Sequence, residues 1–187
     1  MKIRFRKITK EDVDIIFSWA NDPLTRSQSF SSEPIKYESH VEWFNKKISD
    51  KKCLFLIGID DENEPVGSVR LDLMEEEPDK ASWNVIKDKA DDKGNVSGNN
   101  DVYRFLISYQ ISPQKRGMGY GNEIIKSITE NDLLSDFIGE NITNSNSTSV
   151  ILVGEVKKDN IASIKCFRAN KFDEEEKVDE YVFTKEI

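Results

Sequence analysis

The stretch Ile107-Ser-Tyr-Gln-Ile111-Ser-Pro-Gln-Lys-Arg116-Gly-Met-Gly-Tyr-Gly121-Asn-Glu-Ile-Ile125 constrains the fold more than any other part of the chain. A strand-prone run ends in Pro113. Three glycines follow at every second position, and Ile124, Ile125 and Ile128 then recur at helical spacing. A strand must therefore pass into a helix through a turn built on Gly117, Gly119 and Gly121. Glycine is needed where the main chain takes a positive φ or comes close to a ligand. The first amides of a helix have no partner inside it, and the helix dipole adds positive potential there. Such a turn holds a diphosphate well, with Arg116 as a further cation. A flexible connection is the ordinary alternative for glycines alone. Two phosphate loops are excluded. There is no Gly-Lys-Ser/Thr ending, and the opening βαβ unit and acidic residue of a dinucleotide fold are missing.

The flanking sequence supplies elements for this unit to pack on. Ile3, Phe5 and Ile8 interleave with Lys2, Arg4, Arg6 and Lys7, which reads as an opening strand. Thr9 and Asp12 form a weak capping box. Val13, Ile16, Phe17 and Ala20 follow at helical spacing, and Pro23 closes that helix. A second helix is expected over 39–48. The apolar run 53–59, the turn Asp60-Asp-Glu-Asn-Glu-Pro65 and the alternating run 66–73 read as a hairpin. Strands at 103–111, 150–153 and 178–184, a helix through Ile124 to Leu133 and a helix over 161–167 complete the pattern. Residues 75–100, polar except around Trp83, Val85 and Ile86, and residues 135–149 read as insertions. The order β-α-α-β-β-β-loop-α-β-α-β predicts one α+β domain over 1–187, built on a mostly antiparallel sheet.

Composition narrows the function classes. With 187 residues the chain suits one domain, and 10% aromatic residues are too many for a disordered one. A formal charge of −8 repels phosphate backbones, so no nucleic-acid partner is expected. Cys53 and Cys166 sit among apolar neighbours, which fits a reducing compartment better than a disulfide scaffold. One histidine and two cysteines cannot build an ordinary structural zinc site, so no metal is expected. No apolar run reaches membrane-spanning length and the N-terminus has no apolar signal core, so a cytoplasmic location without membrane contact is expected.

Arg116-Gly-Met-Gly119-Tyr-Gly121 resembles the Arg/Gln-x-x-Gly-x-Gly/Ala signature of the GNAT acetyltransferase superfamily. The later Val153-Gly-Glu-Val156-Lys-Lys-Asp-Asn160-Ile-Ala-Ser163-Ile-Lys-Cys-Phe167-Arg-Ala-Asn-Lys-Phe172 resembles its strand, Asn-x-x-Ser/Ala helix and Gly-Phe turn. In the N-terminal third, Ser18-Trp19-Ala-Asn21-Asp-Pro-Leu-Thr-Arg26, His40-Val-Glu-Trp43-Phe44 and Gly67-Ser-Val-Arg70-Leu-Asp72 are similar to the RimJ/RimL-like branch. There they look most like enzymes that acetylate nucleotide-linked amino sugars, as in pseudaminic acid synthesis.

The resemblance implies a GNAT fold splayed at its central strands, acetyl-CoA as donor and a primary amine as acceptor, in a monomer or homodimer. It implies that Ile111 offers main-chain groups to the pantetheine arm. Arg116, Gly117, Met118, Gly119, Tyr120 and Gly121 would hold the diphosphate, Asn160 would bond the cofactor and Phe167 would pack beside the thioester. Phe167 stands where relatives carry an acid tyrosine, so unassisted thiolate departure is expected, with Tyr120, Tyr181 and Cys166 as stand-ins. Lys171 replaces the usual glycine before Phe172. No carboxylate lies on the 103–111 strand, so Asp72 and Glu155 are the candidate bases. For these the ordinary alternatives are a salt bridge to Arg70 and a solvated charge. Asn21, Arg26, His40 and Arg70 are candidate acceptor contacts, against capping, ion pairing and packing. Acetylation of a protein N-terminus and a non-catalytic acyl-CoA-binding module are the rival readings.

Overall fold

The fold was obtained as a computed structural model that describes residues 2–74, 101–130, 133–142 and 148–187. Among these, seven strands form one sheet: β1 (Arg4–Lys7), β2 (Cys53–Ile59), β3 (Pro65–Leu73), β4 (Asp101–Ile111), β5 (Thr148–Lys157), β6 (Asp173–Glu176) and β7 (Glu180–Glu186). Their order is β1-β2-β3-β4-β5-β7-β6. Every pairing is antiparallel except β4 with β5. A parallel pair needs a crossover, and α4 (Tyr120–Glu130) with α5 (Leu133–Asn141) supplies it. The other helices are α1 (Val13–Ala20), α2 (Pro23–Gln28), α3 (Tyr37–Ile48) and α6 (Ile161–Ala169).

Strand alternation sorts side chains between two layers. Leu54, Leu56, Val69, Leu71, Phe105 and Ile107 join Ile124, Ile125, Ile128, Phe137 and Phe167 in one core. Cys53, Phe55 and Ile57 point the other way and pack on Ile16, Trp19 and Phe44. The sheet thus has α4, α5 and α6 on one face and α1 and α3 on the other.

Four elements depart from expectation. Pro23 also opens α2, where Asp22 Oδ1 accepts from the amides of Leu24 and Thr25 at 3.1 and 3.2 Å. The supposed insertion at 135–149 begins as α5, with Leu134, Phe137 and Ile138 buried; intervening Ser135, Asp136 and Glu140 hide that stripe. β5 is ten residues long because residues 154 to 157 stay paired with β7. β6 is wholly exposed and acidic, and exists through pairing with β7, not through apolar content. The expected apolar centre at Trp83, Val85 and Ile86 lies outside the described residues. Lys171 closes α6 at φ 58°, so its departure from glycine bears on a turn.

The β4–β5 ladder runs from Asp101↔Thr148 to Leu106↔Val153 and stops. Beyond it β4 follows β3 to Ile111, and β5 follows β7 to Lys157, so the sheet opens as a V. An aromatic cluster marks the fork. Phe167 stacks on Phe183 at 4.9 Å and meets Phe172 and Tyr109 edge-on at 5.0 and 6.2 Å. Its ring lies against Gly154, where an added Cβ would overlap it. Gly154→Ala is expected to lower unfolding free energy by about 1–3 kcal/mol in urea titrations; an unchanged midpoint would mean that ring is not fixed there.

Candidate active site

The glycine turn lies at the open end of the V. A 3-10 turn over Pro113–Lys115 follows β4, and Gly117 and Gly119 then take φ of 75° and 88° before α4 starts. A Cβ on Gly117 would meet nothing within 4 Å, so its φ, not crowding, calls for glycine. At Gly121 the reason is contact: a Cβ would lie 3.3 Å from Cys166 Sγ and 3.5 Å from Tyr109 Cε2. The Glu123 amide donates to Gly119 O at 3.1 Å, the first such bond at the start of α4. Met118 points outward and is 60% exposed. Tyr120 turns inward and its hydroxyl donates to Asp60 Oδ2 at 3.2 Å, so only its main chain faces the turn. Arg116 reaches α2, pairing with Asp22 Oδ1 at 2.6 Å and donating to Thr25 Oγ1 at 2.8 Å.

The separated strands offer main-chain groups. The Ser112 amide donates to Val66 O at 2.9 Å and Arg104 O accepts from the Met74 amide at 2.8 Å, so even-numbered residues of β4 face β3. By alternation Ile107, Tyr109 and Ile111 face the gap, and an extended ligand could add there as a strand. On the other flank Asn160 caps α6, its Oδ1 accepting from the Ser163 amide at 3.1 Å. Glu155 lies exposed on the separated part of β5. Phe167 is 1% exposed, a core ring at the fork. Tyr109 donates to or accepts from Ser163 Oγ at 2.8 Å. Burial raises the pKa of its phenol and of the Cys166 thiol, so both stay protonated. Tyr181 lies beneath Lys158 and Arg168, at 5.7 and 5.5 Å.

On the opposite face, both Asp72 oxygens are committed: Oδ1 to Lys47 Nζ at 2.7 Å and Oδ2 to Arg70 Nε at 2.5 Å. Burial pushes its pKa up, but Arg70 and Lys47 outweigh this and hold it below the usual carboxylate range. Arg70 also lies over Trp43 at 5.0 Å and donates to Ser108 Oγ at 3.3 Å. Asn21 exchanges two bonds with the main chain of Ile35, at 3.0 and 2.9 Å, and so pins the loop after α2. Arg26 donates to the carbonyls of Ser31 and Ala20.

His40, a candidate acceptor contact in the sequence, is packed on the α1 and α3 side of the sheet. It is 2% exposed, packed among Phe17, Trp43 and Phe44, with Nε2 3.2 Å from Val13 O. The missed residue is Asp60. It is 5% exposed, and its pKa falls to about 2 through the Lys115 ammonium and the Glu64 amide. In sequence it is one polar turn residue among several, with nothing to single it out.

A sheet opened between its parallel strands, with a glycine turn and a helix start at the mouth, is the frame of an acyl-transferring domain. The sequence profile of the acetyltransferase (GNAT) domain matches residues 2–173, so the chain belongs to that family. No match was found among curated proteins. Solved structures share the fold. A domain from Methanocaldococcus jannaschii DSM 2661 is 21% identical, with a TM-score of 0.63 over 100% of this chain and 99% of that one. The aminoglycoside acetyltransferase AAC(6')-Ib, in complex with ribostamycin and coenzyme A, is 14% identical, with a TM-score of 0.65 over 98% and 92%. Spermidine N-acetyltransferase from Vibrio cholerae, in complex with CoA and spermine, is 16% identical, with a TM-score of 0.60 over 99% and 94%.

Burial lowers the pKa of His40, against the opposing pull of the Val13 carbonyl. The native ring is therefore neutral where the unfolded one takes a proton near ~6.5, so its stabilising contribution is present above that pH and lost below it. Unfolding free energy is expected to fall between about pH 7.5 and about pH 5.5, by at most ~1.4 kcal/mol per unit from this group. His40→Gln should remove most of that slope, since the chain has no other histidine; an unchanged slope would contradict the assignment.

Proposed function

We propose that this chain transfers the acetyl group of acetyl-CoA to the primary amine of a small molecule, a nucleotide-linked amino sugar. The single observation that carries the donor half is the parting of β4 and β5 at Leu106↔Val153, with the glycine turn and the start of α4 at its mouth. Similar structures that hold coenzyme A support it. Main-chain amides from Arg116 to Gly121 hold the diphosphate, and Arg116 adds charge. Ile107, Tyr109 and Ile111 bind the pantetheine arm as an added strand. The side chain of Asn160 bonds it from the α6 side.

The amine nitrogen forms a bond to the acetyl carbon, and the bond to sulfur breaks. A gap-facing amide of β4 stabilises the oxyanion between these events. Held geometry supplies much of the rate. Glu155, exposed on the separated part of β5, receives the amine's proton through water. Phe167 has no proton to give, so the thiolate, with a pKa of about 8.5, leaves unassisted.

For the acceptor, Arg26 is the discriminating residue. Among the described residues it meets main-chain carbonyls and no carboxylate, which leaves a cation on α2 for an anionic substrate. The resemblance over residues 18–72 points the same way.

Gly119→Ala and Gly119→Trp share the strain of a positive φ, but tryptophan adds a far larger side chain. In calorimetry the alanine variant should bind CoA within about tenfold of native, and the tryptophan variant should show no heat while keeping its circular dichroism. Normal binding by Gly119→Trp would refute the loop assignment. Thiol release from acetyl-CoA is expected with nucleotide-linked 4-amino sugars, ahead of polyamines, aminoglycosides and peptide N-termini. Release with peptides alone would overturn the acceptor, and CoA binding without release to any amine would identify a binding module.

A further inference from the structure

We infer that Asp60 is a positioning residue that clamps the glycine turn from beneath and so sets affinity for the diphosphate of coenzyme A; this rests on the donor reading above. Asp60 directly follows β2, and its Oδ1 accepts from the amides of Glu62 and Glu64 at 3.0 and 2.9 Å. Main-chain bonds from the Asp60 amide to Glu64 O at 3.0 Å and from the Asn63 amide to Asp60 O at 3.1 Å close the same turn. The carboxylate is thus fixed by its own loop. Its other oxygen, Oδ2, takes Lys115 Nζ at 2.7 Å and the Tyr120 hydroxyl at 3.2 Å.

Lys115 and Tyr120 are the residues just before and just after the stretch 116–119. That stretch holds both positive-φ glycines, and glycine has the widest conformational freedom of any residue. One buried anion therefore holds both ends of the segment with the least intrinsic stiffness. Preorganised donors bind without a further ordering cost. Lys115 and Tyr120 thus both reach down to Asp60 from the two ends of the turn.

The sign of the effect separates clamping from simple electrostatics. Asp60→Asn removes a negative charge beneath an anion site and releases Lys115, so charge alone would tighten CoA binding. Clamping requires the reverse. By calorimetry, Asp60→Asn should weaken CoA about tenfold. It should weaken 3′-phosphoadenosine 5′-diphosphate, the diphosphate half of CoA, by the same factor. Tyr120→Phe, which keeps the ring and removes one donor, should weaken both ligands by a smaller factor and carries the test if Asp60→Asn does not fold. Unchanged or tighter binding in these variants, beside a native chain that binds CoA, would overturn the inference alone. A native chain that binds neither ligand would overturn the donor reading on which it rests. A loss for CoA with none for the diphosphate fragment would also refute the clamp, because the defect would then lie along the strands.

Discussion

The structure turns on two parallel strands that cannot stay paired. Past Leu106↔Val153 the ladder between β4 and β5 ends, yet each strand keeps its outer neighbour. The edge main-chain groups of Ile107, Tyr109 and Ile111 would be costly if buried without partners. They are tolerable because they line an opening where an extended ligand can satisfy them. Gly154 lets the Phe167 ring sit at the fork, and the Phe183 stack holds that ring in place. Core packing and ligand chemistry meet at one point.

Charge is distributed around that opening in the same economical way. Asp60 meets Lys115, Asp72 meets Arg70 and Lys47, and Asp22 meets Arg116. Arg116 belongs to the turn before α4, whereas Asp22 and Thr25 belong to α2. Lys157, at the end of β5, donates to Ser27 O at 2.9 Å. The short helix α2 is therefore tied to both flanks of the V. The donor end of the site and the proposed acceptor cation, Arg26, share one support.

What could be read from sequence was local. Glycine at every second position after Pro113, with Arg116 in front, announces a turn into a helix because the needed conformations are properties of those residues. The hairpin over 53–73 was equally legible, since apolar runs flank an unmistakable turn. Asn160 announced a helix start, and it caps α6. What was hidden came from partners distant in sequence. Lys115 is what Asp60 pairs with, and Lys47 joins Arg70 on Asp72. His40 on an amphipathic helix looks the same whether it faces a substrate or the rings of Phe17 and Phe44. α5 and β6 were missed because interleaved polar residues and an all-acidic strand lack the periodicity that marks an element.

The central claim is that main-chain amides at the mouth of the V grip the diphosphate of coenzyme A. An amide-resolved nuclear magnetic resonance titration with CoA tests it most directly. The account predicts saturable shifts centred on Gly117, Met118, Gly119, Tyr120 and Gly121, extending to Ile107, Tyr109 and Ile111. Saturable shifts confined to other parts of the chain, with these amides unmoved, would contradict it.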